Sequence, residues 1–229
     1  MRVIVFHSPK GGVGRTVTCI ALARALQQRG LRVHVMDASD HYDDGSAALT
    51  GWDDRTAKYD PHDVHPIRVT VASNAWPLLD VLEAKARQES ACDCDVVLID
   101  TAKNLDDRSR IALRAADLVL APFRTYDEAT AIAKRLSRSV LRPAPIRGLF
   151  LGFDGEFPEA RGMASEKMRD YPPFEHEMPF DRDLFSALLM GEMPVSPSGL
   201  IDDAEKWKDW PLVEALAGYV MEMQATHMG

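Results

Sequence analysis

Nine residues near the amino terminus, Ser8-Pro9-Lys10-Gly11-Gly12-Val13-Gly14-Arg15-Thr16, constrain this chain more than any other stretch. They follow a short apolar strand, Val3 to Phe6, and open a run of helical periodicity from Thr16 to about Arg29. Between a strand and a helix, consecutive glycine amides can turn inward and cradle an anion at the positive end of the helix. Glycine is needed because a side chain would block close approach of the backbone. The stretch therefore reads as a phosphate-binding loop with two cations, Lys10 just before the glycine pair and Arg15 where the commonest such loops carry lysine.

The elements that follow suit a sheet covered on both sides. In the first helix Ile20, Ala23 and Leu26 can face a sheet while Arg24, Gln28 and Arg29 turn to solvent, and Gly30 suits a left-handed cap. Leu31 to Met36 reads as a second strand ending in Asp37, and Ile67 to Ala72 as a third. Trp76 to Gln88 reads as a helix with Leu79 and Leu82 on one face. Asp95 to Asp100 is too continuously apolar for a half-exposed strand and belongs at the centre of the sheet. It delivers Asp100 beside the loop, as Mg²⁺ coordination requires. Ala115 to Pro122 gives a further strand, Asp127 to Val140 a helix and Ile146 to Phe153 another strand. The fold class is α/β: a mostly parallel twisted sheet with right-handed crossovers and helices on both faces, in one domain over residues 1–229.

Lys10, with Gly11, Gly12, Gly14 and Thr16, resembles the ParA/MinD family of P-loop ATPases and its KGGxGK[ST] loop, nearest to the small partition members without an amino-terminal helix-turn-helix. The resemblance implies a P-loop NTPase fold that binds ATP and Mg²⁺. Lys10, Gly11, Gly12, Val13, Gly14, Arg15, Thr16 and Val17 would contact the nucleotide, with Lys10 reaching across a dimer interface to the partner's nucleotide. Arg15 stands where the family's second lysine grips the β and γ phosphates, and a planar guanidinium is not a neutral replacement. Thr16, Asp37 and Asp100 would hold the metal. The family's Asp-x-Asp after the second strand places its second carboxylate by the attacking water. Here the run is Asp37-Ala38-Ser39-Asp40, so Ser39 fills that place and Asp40, one residue on, is the substitute candidate for catalysis beside Lys10 and Arg15.

Further matches are local. His41 to Pro66 is a loop region that corresponds to the family's first switch; His41, His62 and His65 stand there among aspartates without specific metal-ligand spacing. Thr101-Ala102-Lys103-Asn104 departs from the small residues and prolines of the second switch, and Lys103 is expected to be exposed. Gly152 and Phe153 fall where an asparagine often reads adenine. Pro179, Phe180 and Asp181 resemble the late segment that lies along the base. Taken whole, the resemblance implies an ATP-dependent dimerising switch for DNA partition or for positioning a cellular cargo, with a protein partner that stimulates hydrolysis. Arg15 and Ser39 predict slow turnover with binding retained. A non-hydrolysing scaffold that binds nucleotide or DNA is the alternative, while a small-molecule kinase lacks a recognisable acceptor site.

Charge bears on partners. The chain carries a formal net charge of −8, which argues against coating nucleic acid with its whole surface. Yet no acidic residue falls between Glu128 and Asp154, where Lys134, Arg135, Arg138, Arg142 and Arg147 do. Such a segment can bind nonspecific DNA through its phosphates; a solvated face is the equal alternative. A last helix, Trp210 to Ala225, carries Trp210, Val213, Leu216, Val220 and Met223 near one stripe. After Lys208 there is no lysine or arginine, so this helix is expected to pack on the body and not to bind anionic lipid. Cys19, Cys92 and Cys94 are too few and too poorly spaced for a disulfide framework or a zinc site. Met1 leads into a strand without a leader pattern, and no apolar run reaches spanning length. The expected compartment is the cytoplasm, with no membrane association.

Overall fold

A computed structural model of the chain describes residues 1–39, 49, 67–87, 93–136, 144–151, 162–163, 166–173 and 211–225. The strands are β1 (Arg2–Phe6), β2 (Val33–Ala38), β3 (Arg68–Val71), β4 (Val96–Thr101), β5 (Leu118–Phe123) and β6 (Ile146–Phe150). The described helices are α1 (Arg15–Gln28) after β1, α2 (Trp76–Ala86) after β3, α3 (Asp107–Ala115) after β4, α4 (Tyr126–Leu136) after β5 and, last, α5 (Pro211–Ala225). The six strands form one sheet in the order β3-β2-β4-β1-β5-β6, and each pairing is parallel. β4 lies between β2 and β1 as its apolar run predicts, and every one of its residues is buried.

Alternation along these strands sorts the core into two faces. Ile4, Phe6, Val96 and Leu98 pack with α1 and α5, while Val3, Val5, Val97 and Ile99 pack with α2 and α3. A third cluster under β5 and β6 joins Phe123 and Phe150 to Ala129, Ile132 and Leu136 of α4. Helices thus cover both faces.

One expectation about helix faces needs correction. α1 has no broad solvent face, because Leu212, Val213, Leu216, Ala217 and Val220 of α5 lie on it in the same core. Arg24 and Arg29 are half-buried, and Arg29 pairs with Glu214 across the two helices. In α2 Leu78 and Val81 are buried, and Leu82, partly buried, packs against the same core. The apolar residues Leu78, Leu79, Val81 and Leu82 span more than one stripe, so sequence alone does not choose among them. Trp76 at the start of this helix is exposed. Gly30 does end α1, at φ 79, with its amide on the Gln27 carbonyl and that of Leu31 on the Leu26 carbonyl. That pair of bonds is a Schellman cap. Cys19 is a free, buried thiol and Cys94 is disulfide-bonded.

Because all six strands run in parallel, their carboxyl ends meet one edge. The loops after Phe6, Ala38, Thr101 and Phe123 gather there, the usual place for a ligand in an open α/β sheet.

Candidate functional site

The glycine loop leaves β1 at this edge and enters α1. Gly14 occupies the N-cap at φ 90, no side chain caps the helix, and its first turn holds no acidic residue. The orphan amides of that turn have been left without a side-chain acceptor. Gly12 also takes a positive φ, 71°. A methyl group added at Gly11 or Gly12 would meet nothing within 4 Å. Gly11 has no left-handed backbone either, so neither strain nor crowding within the chain requires glycine there; what it preserves is open space above the loop. Gly14 is different: a Cβ there would lie 2.6 Å from Leu151 Cδ1. Lys10 is exposed, while Val13 and Val17 are buried and anchor the loop.

Beneath the loop two carboxylates stand side by side. Asp37 and Asp100 are paired positions of β2 and β4, and the pleat turns both toward α1. Both are buried, and Asp37 Oδ2 and Asp100 Oδ1 have no hydrogen-bond partner. The Thr16 hydroxyl donates to Asp100 Oδ2 at 2.5 Å. Arg15 donates Nη1 to the Ser8 carbonyl at 3.0 Å, and its Nε lies 3.9 Å from Asp100 Oδ1, an ion pair without a hydrogen bond. Burial pushes the Asp100 carboxyl up to about 6, with Asp37 adding to the rise and Arg15 and Thr16 opposing it. Ser39 donates its hydroxyl (2.5 Å) and its amide (3.0 Å) to Asp37 Oδ1. Burial, then these two carboxylates, raises the Cys19 thiol well above its usual range.

On the opposite face of the same strand ends is a group the sequence reading did not single out. His7 Nδ1 lies 2.9 Å from Thr101 Oγ1, which donates to the Phe6 carbonyl at 2.8 Å. The threonine proton being committed, His7 donates from Nδ1 and its buried Nε2 lacks a partner. Burial, then Arg15 and Arg135, holds this imidazole down to about 4. Arg108 Nη1 donates to the carbonyls of Ser39 (3.3 Å) and Ala72 (3.4 Å) and the guanidinium pairs with Asp106, the N-cap of α3. A sequence signal existed: polar residues one step past two buried apolar strands, facing away from Asp100.

Lys103 is exposed, as expected. Of the basic segment, Lys134 is exposed, Arg147 is half-buried on β6, and Arg135 donates to the Lys103 carbonyl at 3.0 Å. Asp40, Arg138, Arg142, Gly152, Phe153, Pro179, Phe180, Asp181 and the three histidines between 41 and 65 lie outside the described residues.

Residues 4–192 match the family described as the CobQ/CobB/MinD/ParA nucleotide binding domain. The chain belongs to this family. A curated relative, the virC1 protein of Rhizobium radiobacter, is 26% identical over 197 residues, covering 82% of this chain and 80% of that protein. Among solved structures, pNOB8 ParA bound to nonspecific DNA superposes with a TM-score of 0.62 at 16% identity, covering 100% of this chain and 99% of that one. Cobyrinic acid a,c-diamide synthase from Mycobacterium smegmatis, with a bound ATP analog and magnesium, gives a TM-score of 0.54 at 20% identity, covering 84% and 92%. At such identities these structures establish the shared fold.

A nucleotide-binding domain of this family needs a phosphate cradle and donors for a hard cation. The uncapped helix start, the open space over Gly11 and Gly12, and the exposed Lys10 fit the phosphates. The orphaned oxygens of Asp37 and Asp100 beside the Thr16 hydroxyl fit Mg²⁺, which takes few protein oxygens and keeps water and phosphate oxygens for the rest. Among the described residues no cluster of three or more His, Cys, Asp or Glu gathers, so a cation held entirely by protein side chains has no counterpart there. No helix among them is long and apolar enough to cross a membrane.

Proposed function

We propose that the chain is a ParA-like switch: ATP with Mg²⁺ binds from Lys10 to Val17, two copies dimerise, and slow hydrolysis resets them, in the service of DNA partition or of positioning a cellular cargo. The observation that carries this reading is the convergence of Thr16, Asp37 and Asp100 under an uncapped, glycine-lined helix start. Mg-ATP supplies, when bound, the phosphoanhydride and the divalent charge. The loop amides bind and orient phosphate, and the Thr16 hydroxyl and the two carboxylates hold the cation. Arg15, paired with Asp100 in the free chain, brings its positive charge to the phosphates, while exposed Lys10 is available to a second copy.

Two substitutions bear on rate. A guanidinium spreads its charge over a planar fork, where the family's lysine is a compact point charge. Ser39 has its hydroxyl engaged on Asp37 and offers no carboxylate to a water. The same contacts favour the second reading, a scaffold that binds nucleotide or DNA without turnover. Nonspecific DNA at Lys134, Arg135, Arg138, Arg142 and Arg147, a protein that stimulates hydrolysis, a single domain over 1–229 and a cytoplasmic home belong to the first reading. Phosphate release from Mg-ATP separates the two. The switch predicts slow turnover that falls by roughly 100-fold or more in Asp100→Ala and rises about tenfold in Arg15→Lys. Turnover absent in wild type and in Arg15→Lys would leave the scaffold.

A further inference from the structure

The segment from Ala102 to Asp106 leaves β4 directly after Asp100 and Thr101, and side chains from other elements hold it. At its root His7 fixes Thr101, and at its end Asp106 caps α3 by accepting from the Ser109 amide at 2.8 Å. Between them, Arg135 from the last turn of α4 donates Nη1 to the main-chain carbonyl of Lys103 at 3.0 Å. The reach of that guanidinium is set by packing. Ile132 and Leu136, on either side of it in the helix, are buried with Phe123, Phe150 and Met168. A second observation agrees: the charge of Arg135 is felt at the buried His7 ring, alongside that of Arg15. The guanidinium therefore lies over the carboxyl edge of the sheet, next to the site.

We propose that Arg135 is a positioning residue, a clasp on the Lys103 carbonyl that holds the 102–106 segment against the nucleotide site. This gives one member of the basic segment a task inside the molecule. A guanidinium that holds a carbonyl through Nη1 keeps its charge but has one donor fewer for a DNA phosphate. The clasp itself stands on the geometry; only its consequence for turnover rests on the function proposed above. Because the segment begins two residues after Asp100, a candidate metal ligand, a change on α4 reaches the site through a single hydrogen bond.

Trypsin reads the clasp directly, since the bonded carbonyl belongs to the scissile Lys103-Asn104 bond and the Lys103 side chain is exposed. Cleavage requires the segment to open locally. The initial rate of this cut, followed by fragment mass on the full chain without nucleotide, would be compared in wild type, Arg135→Ala, Arg135→Gln and Arg135→Lys. Arg87→Ala, at an exposed residue of the distant end of α2, is the control. The clasp predicts roughly threefold to tenfold faster cleavage at Lys103 in the alanine and glutamine variants, given the worth of one hydrogen bond. Melting temperature and cuts at basic sites other than the substituted one should not change, the lysine variant should recover most of the protection, and Arg87→Ala should match wild type at Lys103. Equal rates at Lys103 in wild type and Arg135→Ala, or acceleration at all basic sites alike, would overturn it. With no nucleotide present, a chain that hydrolyses no ATP yet shows this pattern fails as an ATPase and keeps the clasp.

Discussion

Arg15 sits in the first turn of a helix, where a cation is electrostatically disfavoured, beside a buried aspartate that has lost its hydration. Each offsets the other's cost while the phosphate place is open. Gly11 isolates the ligand's share of such constraints, since nothing in the chain crowds it or strains its backbone. Gly11→Ala should therefore leave unfolding free energy within about 0.5 kcal/mol of wild type while weakening nucleotide binding roughly tenfold or more; calorimetric titration beside chemical denaturation checks both. Acid reads other residues. Burial holds His7 and His34 down to about 4, with Arg68 adding to the effect at His34. The unfolded chain takes up these protons below about pH 6.5, so stability falls as pH drops from there toward 4, by at most about 1.4 kcal/mol per pH unit for each histidine. Asp100, raised to about 6, acts in the opposite sense: its proton stabilises the folded state at low pH, and this is lost as pH rises through 6. His34→Gln, which can keep the bond to Thr70, should flatten the loss between pH 7 and 5 by about one proton in denaturation curves.

α1 carries the loop at one end and the packing of α5 along its side, so the carboxyl-terminal helix supports the site from behind. Leu216 is fully buried in that contact. Leu216→Ala should cost about 2 to 4 kcal/mol of stability, measured by denaturant unfolding. Elements with one dominant signal were legible in the sequence. The glycine loop, the Gly30 cap, the central placement of β4 and the Asp37 and Asp100 strand ends follow from local residue chemistry and stand where that chemistry puts them. What escaped depends on partners distant in the chain. The outer burial of α1 needs α5, which lies nearly two hundred residues away. Packing against the sheet buries Leu78 and Val81, and Leu82 in part. His7 and Thr101 could be suspected as polar residues at the ends of apolar strands, but their contact, like that of Arg135 with Lys103, forms only once the strands are aligned.

Among the described residues, parallel strand ends place the loop, both carboxylates and the 102–106 segment on one edge. Net charge of −8 disfavours close approach of two such chains, so the proposed dimer would need compensating cations, and exposed Lys10 is a candidate. Among the described residues nothing bonds its ammonium. The central claim is that nucleotide joins two copies through this edge. Mass in solution by light scattering, with and without Mg-ATP, tests it most directly, in wild type and in Lys10→Ala. The account predicts a monomer of 25.5 kDa without nucleotide, a doubled mass with it, and a variant that stays monomeric while still binding ATP. A wild-type mass unchanged by saturating Mg-ATP would contradict it.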